Sequence, residues 1–229
     1  MNGIKRVAVV DDVPDAALAI IHALEDAEIH GFLVDQCESS SALVDLIVST
    51  SDAAIFDHRL SYGGFADVTG AELAAMTIDR GHPAILVTQY MDQEADVSIR
   101  KYRRILPSVL RRQDADEPSE ILAAFERCIS EMSQGPRGDR TPQRTLINVQ
   151  DVVNLGVEET VVDATIHGWK TPKSAVRFPV SIIPEELRAD VVPGAILAVV
   201  TNIQADSQGD LYFRDFELVP DFDPEDGLG

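Results

Sequence analysis

The chain has 229 residues, a formal net charge of −20 and a hydrophobic fraction of 45%. That apolar fraction is typical of globular proteins and excludes wholesale disorder. The negative charge is spread over both parts of the chain, since residues 1–132 hold 11 Lys and Arg against 23 Asp and Glu, and residues 133–229 hold 8 against 16. DNA and anionic membranes attract clustered basic residues, so both are disfavoured as partners.

The cysteine content and the N-terminus predict the compartment. Cys37 and Cys128 are the only two cysteines, which is too few for a disulfide framework, and we expect buried thiols in a reducing environment. The N-terminus lacks the basic region and apolar run of a signal peptide, and no apolar run reaches the about 18 residues that span a bilayer. We therefore expect a cytoplasmic protein.

Short apolar runs alternate with amphipathic segments from residue 4 to about residue 132, which predicts a parallel sheet with helices on both faces. The predicted strands are residues 5–11, 31–37, 53–57, 83–88 and 104–111. The predicted helices are residues 14–28, 40–49, 70–80, 93–101 and 117–132. Residues 1–132 are therefore predicted to form an α/β domain with a doubly wound, five-stranded parallel sheet.

The pattern changes after a predicted linker at residues 133–143, which holds two prolines and two glycines without an apolar anchor. Beyond it, apolar and polar residues alternate, as in half-buried strands. The predicted strands are residues 145–149, 159–169, 175–183, 195–203 and 210–220, with one helical turn at 184–188. Residues 144–220 are therefore predicted to form a small antiparallel β-barrel, OB-like or SH3-like. Residues 221–229 are predicted to be a flexible acidic tail.

Acidic and polar side chains stand where the predicted parallel strands end. Asp11 and Asp12 end the first strand, Asp57 the third and Thr88 the fourth, and the fifth runs into the Arg111-Arg112 pair. The carboxyl ends of parallel strands form one edge, where the functional crevice of an open α/β sheet lies. Three converging carboxylates need a cation, and oxygen ligands without His or Cys favour magnesium. The pattern predicts a Mg2+ site that could also orient a phosphoryl group.

Five segments of the first 132 residues resemble the receiver domain of two-component response regulators. They are RVAVVDD at 6–12, AAIFDHRL at 53–60, TGAEL at 69–73, PAILVT at 83–88 and the predicted strand before the last helix. Each motif alone is common, and the resemblance rests on their order and spacing. It implies a flavodoxin-like fold for this part of the chain and leaves the final third unnamed.

The resemblance also implies roles for individual residues. Asp57 would be the phosphoacceptor, with Asp11 and Asp12 as the carboxylates that hold Mg2+, and the backbone carbonyl of Arg59 would complete the metal ligands. Thr88 would supply the hydroxyl that reports phosphorylation. A sensor histidine kinase or a phosphotransfer protein would be the phosphodonor. No enzymatic activity is expected beyond self-phosphorylation and dephosphorylation at the aspartate.

Three departures from the family pattern stand in the sequence. Arg111 occupies the place of the family's strand-five lysine, and a planar guanidinium is bulkier than an ammonium group. Ser108 stands where the family usually carries Tyr or Phe. The loop at 61–69 is longer than usual and adds Tyr62 and Phe65, as a lid, a docking surface or local packing.

Plainer interpretations stay open for the same residues. The aspartates are also suited to ending strands and capping helices, and Thr88 to being an ordinary strand-end hydroxyl. Arg111 has Asp114 and Asp116 nearby in sequence as surface partners. His58 follows Asp57 directly and is expected to point to solvent or to the opposite face, and not to act as a catalytic residue.

The most economical function is that of a response regulator or signalling adaptor, whose phosphorylation state modulates contacts with an unknown target protein. The first alternative is a pseudo-receiver scaffold that works without phosphorylation. The second is single-stranded nucleic-acid binding by the barrel, through cations near Lys170, Lys173 and Arg177. That alternative needs exposed aromatic rings at Trp169, Phe178, Tyr212 and Phe213, which we expect instead to form the barrel core.

Overall fold

The computed structural model of the protein describes residues 3–34, 39–60, 68–89, 96–136, 138–154, 160–171 and 173–220. The chain divides into two compact units, residues 1–136 and 137–229. Cys37, Tyr62, Phe65 and the tail at 221–229 lie outside the described residues. The expectations for them are therefore not addressed by the structure.

The N-terminal unit is built on a parallel sheet of five strands, in the order β2-β1-β3-β4-β5. The strands are β1 (Arg6–Val10), β2 (His30–Val34), β3 (Ala53–Asp57), β4 (Ala84–Thr88) and β5 (Val109–Arg111). The helices are α1 (Pro14–Asp26), α2 (Ser40–Thr50), α3 (Gly70–Asp79), α4 (Asp96–Arg100) and α5 (Pro118–Gln134). The predicted doubly wound α/β fold is confirmed. Among the described residues, no helix combines the length and the apolar character needed to cross a membrane.

Two apolar layers enclose the sheet, because alternate residues of each strand face opposite sides. On β1, Val7 and Val9 join the core that contains the buried residues of α1 and α5. Ala8 and Val10 join the opposite core, which is formed with α2, α3 and α4. All five residues of β4 are buried. Burial on both faces explains why the central strands are continuous apolar runs rather than alternating ones.

The fifth strand is shorter than predicted, and this is the main error in the first 132 residues. It was predicted over residues 104–111 and spans only Val109–Arg111. The preceding backbone folds into local turns, with Ile105 N and Leu106 N donating to Tyr102 O at 2.8 and 3.1 Å. Pro107 then interrupts any ladder, because it has no N–H to donate. Pro107 was therefore a signal in the sequence against a strand over the whole of residues 104–111.

The C-terminal unit contains a second sheet of five antiparallel strands, in the order β10-β9-β6-β7-β8. The strands are β6 (Gln143–Asn154), β7 (Thr160–Ile166), β8 (Val176–Pro179), β9 (Ile196–Thr201) and β10 (Phe213–Leu218). β9 returns beside β6, so the connection from β8 crosses over instead of continuing a meander. The strand predicted at 175–183 ends at Pro179, and two 3-10 helices follow, Val180–Ile182 and Glu185–Asp190.

Aromatic side chains bring together the two edge strands of this second sheet. Phe178 of β8 lies 4.7 Å from Phe213 and 6.0 Å from Phe216 of β10, measured between ring centroids. The two strands stand at opposite ends of the strand order, so the sheet curls around its apolar core. This curvature agrees with the predicted small barrel.

Part of the predicted linker is structured. α5 continues to Gln134, and residues Gly138–Arg140 form a 3-10 helix that belongs to the C-terminal unit. The Tyr212 hydroxyl donates to Arg140 O at 2.8 Å, and Asn202 Nδ2 donates to Asp139 O at 3.1 Å. Polar side chains from distant strands therefore order a segment whose own sequence has no apolar anchor.

Gly70 opens α3 where the helix passes close to the end of β3. A Cβ at this position would lie 1.7 Å from Asp57 O and 3.2 Å from His58 Cα. We predict that Gly70→Ala destabilises the unit by about 3 kcal/mol, since the backbone must move to relieve the overlap. A loss of stability would be informative, because Ala is a better helix former than Gly and should stabilise the helix if there were no overlap.

Urea denaturation followed by circular dichroism provides the measurement. Gly3→Ala is the matched control, because no heavy atom lies within 4 Å of a Cβ at Gly3. Equal stability of Gly70→Ala and the wild type would show that α3 and β3 do not approach this closely.

Candidate functional site

Three carboxylates meet at the carboxyl edge of the parallel sheet, as predicted. β1 and β3 are neighbours, with Val10 opposite Phe56, so the residues that follow these positions come together. Each of Asp11, Asp12 and Asp57 offers a carboxylate oxygen within 4.8 Å of the others. Sequence reasoning found this cluster because strand ends in a parallel sheet share one edge.

Asp11 is the most enclosed of the three. Its side chain is 1% exposed. Oδ1 accepts a hydrogen bond from Val13 N at 2.9 Å, and Oδ2 accepts one from Arg112 Nη2 at 2.8 Å. Both oxygens therefore have a donor, as a buried carboxylate requires. Asp12 beside it is half-buried.

Asp57 lies at the end of β3, with its side chain 12% exposed. Its Oδ2 accepts from Arg59 N at 3.0 Å, and its Oδ1 accepts from Arg112 Nη2 at 2.5 Å. Burial is the largest influence on the pKa of Asp57 and raises it. The Arg112 charge and the donors lower this pKa, Asp11 raises it, and the net shift is upward. Burial therefore disfavours the ionised form of Asp57 in spite of the Arg112 pair.

The cation of the site is Arg112, which corrects the choice of Arg111 from the sequence. Arg112 forms ion pairs with both Asp11 and Asp57 through Nη2. Arg111 is the last residue of β5, pairs in register with Thr88 and is exposed. A 3-10 helix begins at Arg112, directly after β5, and the Arg112 side chain lies in the pocket. Two adjacent arginines gave the sequence no means of telling which one points inward.

The other predicted positions are placed as follows. Thr88 is buried at the end of β4, beside the edge that holds the acids. Ser108, which stands in place of an aromatic residue, is buried and donates through Oγ to Ala124 O of α5 at 3.0 Å. Arg59 is exposed, and its N–H fixes Asp57. The metal-binding role of its carbonyl stays a prediction.

His58, for which an orientation toward solvent was one of the two expectations, is a buried polar residue. It is 3% exposed, and its Nε2 shares a 2.8 Å hydrogen bond with Ser98 Oγ of α4. Burial, followed by the charge of Arg59, lowers the pKa of His58 to about 4. The ring is therefore neutral at physiological pH. It connects the position after Asp57 to α4.

The carboxylate cluster fits magnesium in its chemistry. It offers three hard oxygen donors on one edge, the ligand type that Mg2+ prefers. Burial, which is the largest cause, raises the pKa of Asp57, and the neighbouring Asp11 charge raises it further. Arg112 offsets part of the charge of these acids from within the chain.

In the C-terminal unit, the aromatic rings form the core, as expected. Trp169, Phe178, Tyr212 and Phe213 are all buried. Basic residues of this unit face acids: Lys170 pairs with Asp206, Arg144 with Glu217 and Arg177 with Asp163. A groove for single strands needs stacking rings and cations that face the ligand. These rings are enclosed and these cations are paired, which disfavours the nucleic-acid alternative.

No protein-family model and no curated protein matches the chain. Solved structures that match it include the signal receiver domain of the response regulator NarL from Mycobacterium tuberculosis, at 21% identity and a TM-score of 0.41, covering 54% of this chain and 98% of that one. A CheY-like receiver domain protein from Methanospirillum hungatei JF-1 matches at 19% identity and a TM-score of 0.43, covering 58% and 99%.

A third match is the signal receiver domain of a modulated diguanylate cyclase from Desulfovibrio desulfuricans G20. It has 20% identity and a TM-score of 0.45, covering 58% of this chain and 99% of that one. At these identities and scores, the likeness says nothing about function. The roles of the residues have to follow from the geometry of the chain itself.

The depressed pKa of His58 predicts a loss of stability in mild acid. Between pH 6.5 and about 4 the unfolded chain binds a proton at this histidine and the folded chain does not. We expect this residue to remove up to roughly 3 kcal/mol of unfolding free energy as the pH falls through that window.

Denaturant titrations from pH 8 to pH 4 test this, with His58→Met as the variant that cannot titrate and exposed His30→Gln as the control. The wild type and His30→Gln should lose stability more steeply than His58→Met. Parallel pH profiles for all three proteins would contradict the burial of a neutral His58.

The raised pKa of Asp57 gives a second prediction. A carboxyl group whose folded pKa is raised stabilises the fold below its unfolded pKa and loses that contribution as the pH rises. At pH 7.5 with EDTA, Asp57→Asn should therefore raise the melting temperature in differential scanning calorimetry. Asp45→Asn, at an exposed acid paired with Arg80, is the control and should not. A clear drop in the melting temperature of Asp57→Asn would show that the ion pair of Asp57 with Arg112 stabilises the fold by more than the burial of its charge destabilises it.

Proposed function

We propose that the N-terminal unit is a phosphorylatable receiver and that Asp57 is its phosphoacceptor. One observation carries the proposal: Asp57 stands at the end of a central strand, with two further carboxylates and a guanidinium at the same edge. Acids at this density are suited to holding a divalent cation, and Mg2+ would neutralise the charge that gathers around a transferring phosphoryl group. Asp11, Asp12 and Asp57, with the Arg59 carbonyl, would hold it.

The residues of the chain have distinct tasks in this proposal. A carboxylate oxygen of Asp57 attacks the phosphorus of a phosphohistidine or a small phosphodonor, and the bond from phosphorus to the donor breaks. The Arg59 N–H holds Oδ2 and thereby orients the carboxylate. Arg112 lies beside Oδ1, where it can bind the oxygens of the phosphoryl group. Thr88 is the nearby hydroxyl that would respond.

We further propose that the protein is a cytoplasmic signalling adaptor, fed by a histidine kinase or phosphotransfer protein. Its output would be contact with a target protein. In support, Leu146 of β6 and Ile196 of β9 are 45% and 40% exposed on the outer face of the second sheet. They share that face because Leu146 pairs with Ala198, two residues along β9 from Ile196. Exposed apolar side chains that adjoin on a sheet suit a protein contact.

A second candidate is a scaffold that works without phosphorylation. The observation that favours it is the Arg112 bridge, because the guanidinium already pairs with both Asp11 and Asp57 and offsets part of their charge. The two candidates make opposite predictions about a phosphoryl mimic.

Beryllofluoride binding with Mg2+ decides between them. We expect 15N-labelled protein to show saturable amide shifts in the N-terminal unit, because the mimic binds an aspartate that has a bound metal. The shifts should be lost in Asp57→Asn and kept in Asp45→Asn. Absence of shifts at millimolar Mg2+ would exclude the phosphoreceiver and leave the scaffold. The indole signal of Trp169, the single tryptophan, reports in the same spectra whether the C-terminal unit responds.

A further inference from the structure

Arg112 holds the place between two acids that a shared cation would take. Its Nη2 lies 2.8 Å from Asp11 Oδ2 and 2.5 Å from Asp57 Oδ1. A Mg2+ ion held by those same two oxygens would have to lie between them, since Mg2+ binds oxygen at about 2.0–2.1 Å. Nitrogen and metal cannot both occupy that space.

Charge adds to this steric exclusion. Arginine keeps its positive charge at all physiological pH values. A divalent cation a few ångströms away in a partly buried pocket would be repelled strongly, because solvent screening is weak there. The Arg112 guanidinium and the divalent cation would bind the same two carboxylates, so binding of one would weaken binding of the other.

The hydrogen bonds of the Arg112 guanidinium show how a metal could displace it from the carboxylates. Its Nε and Nη1 are buried and have no hydrogen-bond partner among the described residues. Buried donors without acceptors cost free energy. The hydrogen bonds that hold the guanidinium thus go to the very carboxylates that a metal would bind. The side chain is 19% exposed, so displacement outward brings the unsatisfied donors to water.

We propose that Arg112 is an internal competitor of the divalent cation. The carboxylate cluster has two mutually exclusive states, one neutralised by Arg112 and one by metal. The site then fills only at a metal concentration above the one that the same carboxylates would need without the arginine. This inference rests on the proposed function, since it concerns the metal of that site.

Calorimetric titration of the full chain with Mg2+ alone tests the proposal. Arg112→Gln should bind Mg2+ about tenfold more tightly than the wild type or better, because a competing positive charge is removed. Arg112→Lys keeps the charge and should stay closer to the wild type. Arg111→Gln removes the same charge from the exposed neighbour and should bind like the wild type. Saturating Mg2+ should also raise the melting temperature of Arg112→Gln by more than it raises that of the wild type.

A wild-type measurement keeps the proposal testable if Arg112→Gln does not fold. The Arg112 Nε–H signal in 15N spectra, assigned with Arg112→Lys, should shift and exchange faster with water as Mg2+ is added. A signal that stays unchanged at saturating Mg2+ would overturn the proposal. Equal or weaker Mg2+ affinity in a folded Arg112→Gln would do the same.

The outcomes separate this inference from the proposed function. If beryllofluoride binds at Asp57 and the wild type and Arg112→Gln bind Mg2+ equally well, the proposed receiver function stands and the competition by Arg112 is excluded. Tighter Mg2+ binding by Arg112→Gln without beryllofluoride binding would retain the competition and remove the phosphoacceptor. No Mg2+ binding by either protein would overturn both.

Discussion

Electrostatic repulsion between Asp11 and Asp57 is the constraint on which the organisation of the N-terminal edge depends. Parallel pairing of β1 with β3 forces the two carboxylates together. At separations under about 5 Å, two such charges cost roughly 3–4 kcal/mol at an effective dielectric constant of 20. Arg112 offsets this cost from the end of β5, so three strand ends are tied by one guanidinium. Whatever binds at this edge has to replace that arrangement or add to it.

The residues after Asp57 are attached to the surrounding helices through specific hydrogen bonds. His58 O accepts from Gly70 N at the start of α3, and the His58 ring is bonded to Ser98 of α4. The Arg59 N–H donates a hydrogen bond to the Asp57 carboxylate. A change of charge on Asp57 would therefore act beside His58, which is hydrogen-bonded to both helices. In the proposed function, this is the route by which a new charge on Asp57 would reach the two helices.

The two units use their apolar residues differently. Burial on both faces makes the parallel strands uniformly apolar. The second sheet has one buried face, and it closes its ends with Phe178, Phe213 and Phe216. Because those rings lie in the core, the outer face carries the adjoining aliphatic side chains of Leu146 and Ile196 and the Arg144–Glu217 ion pair. The proposed protein contact would use this face.

Periodicity in the sequence determined the order and type of nearly every element, because burial of one or both faces imposes a pattern on neighbouring residues. It also placed Asp11, Asp12 and Asp57 at one edge, since parallel strands share their carboxyl ends. The tertiary structure alone decided that Arg112 pairs with the acids, because two adjacent arginines carry no periodic signal that tells which one faces the pocket. It likewise decided that His58 is buried, since a single residue after the end of a strand carries no periodic signal.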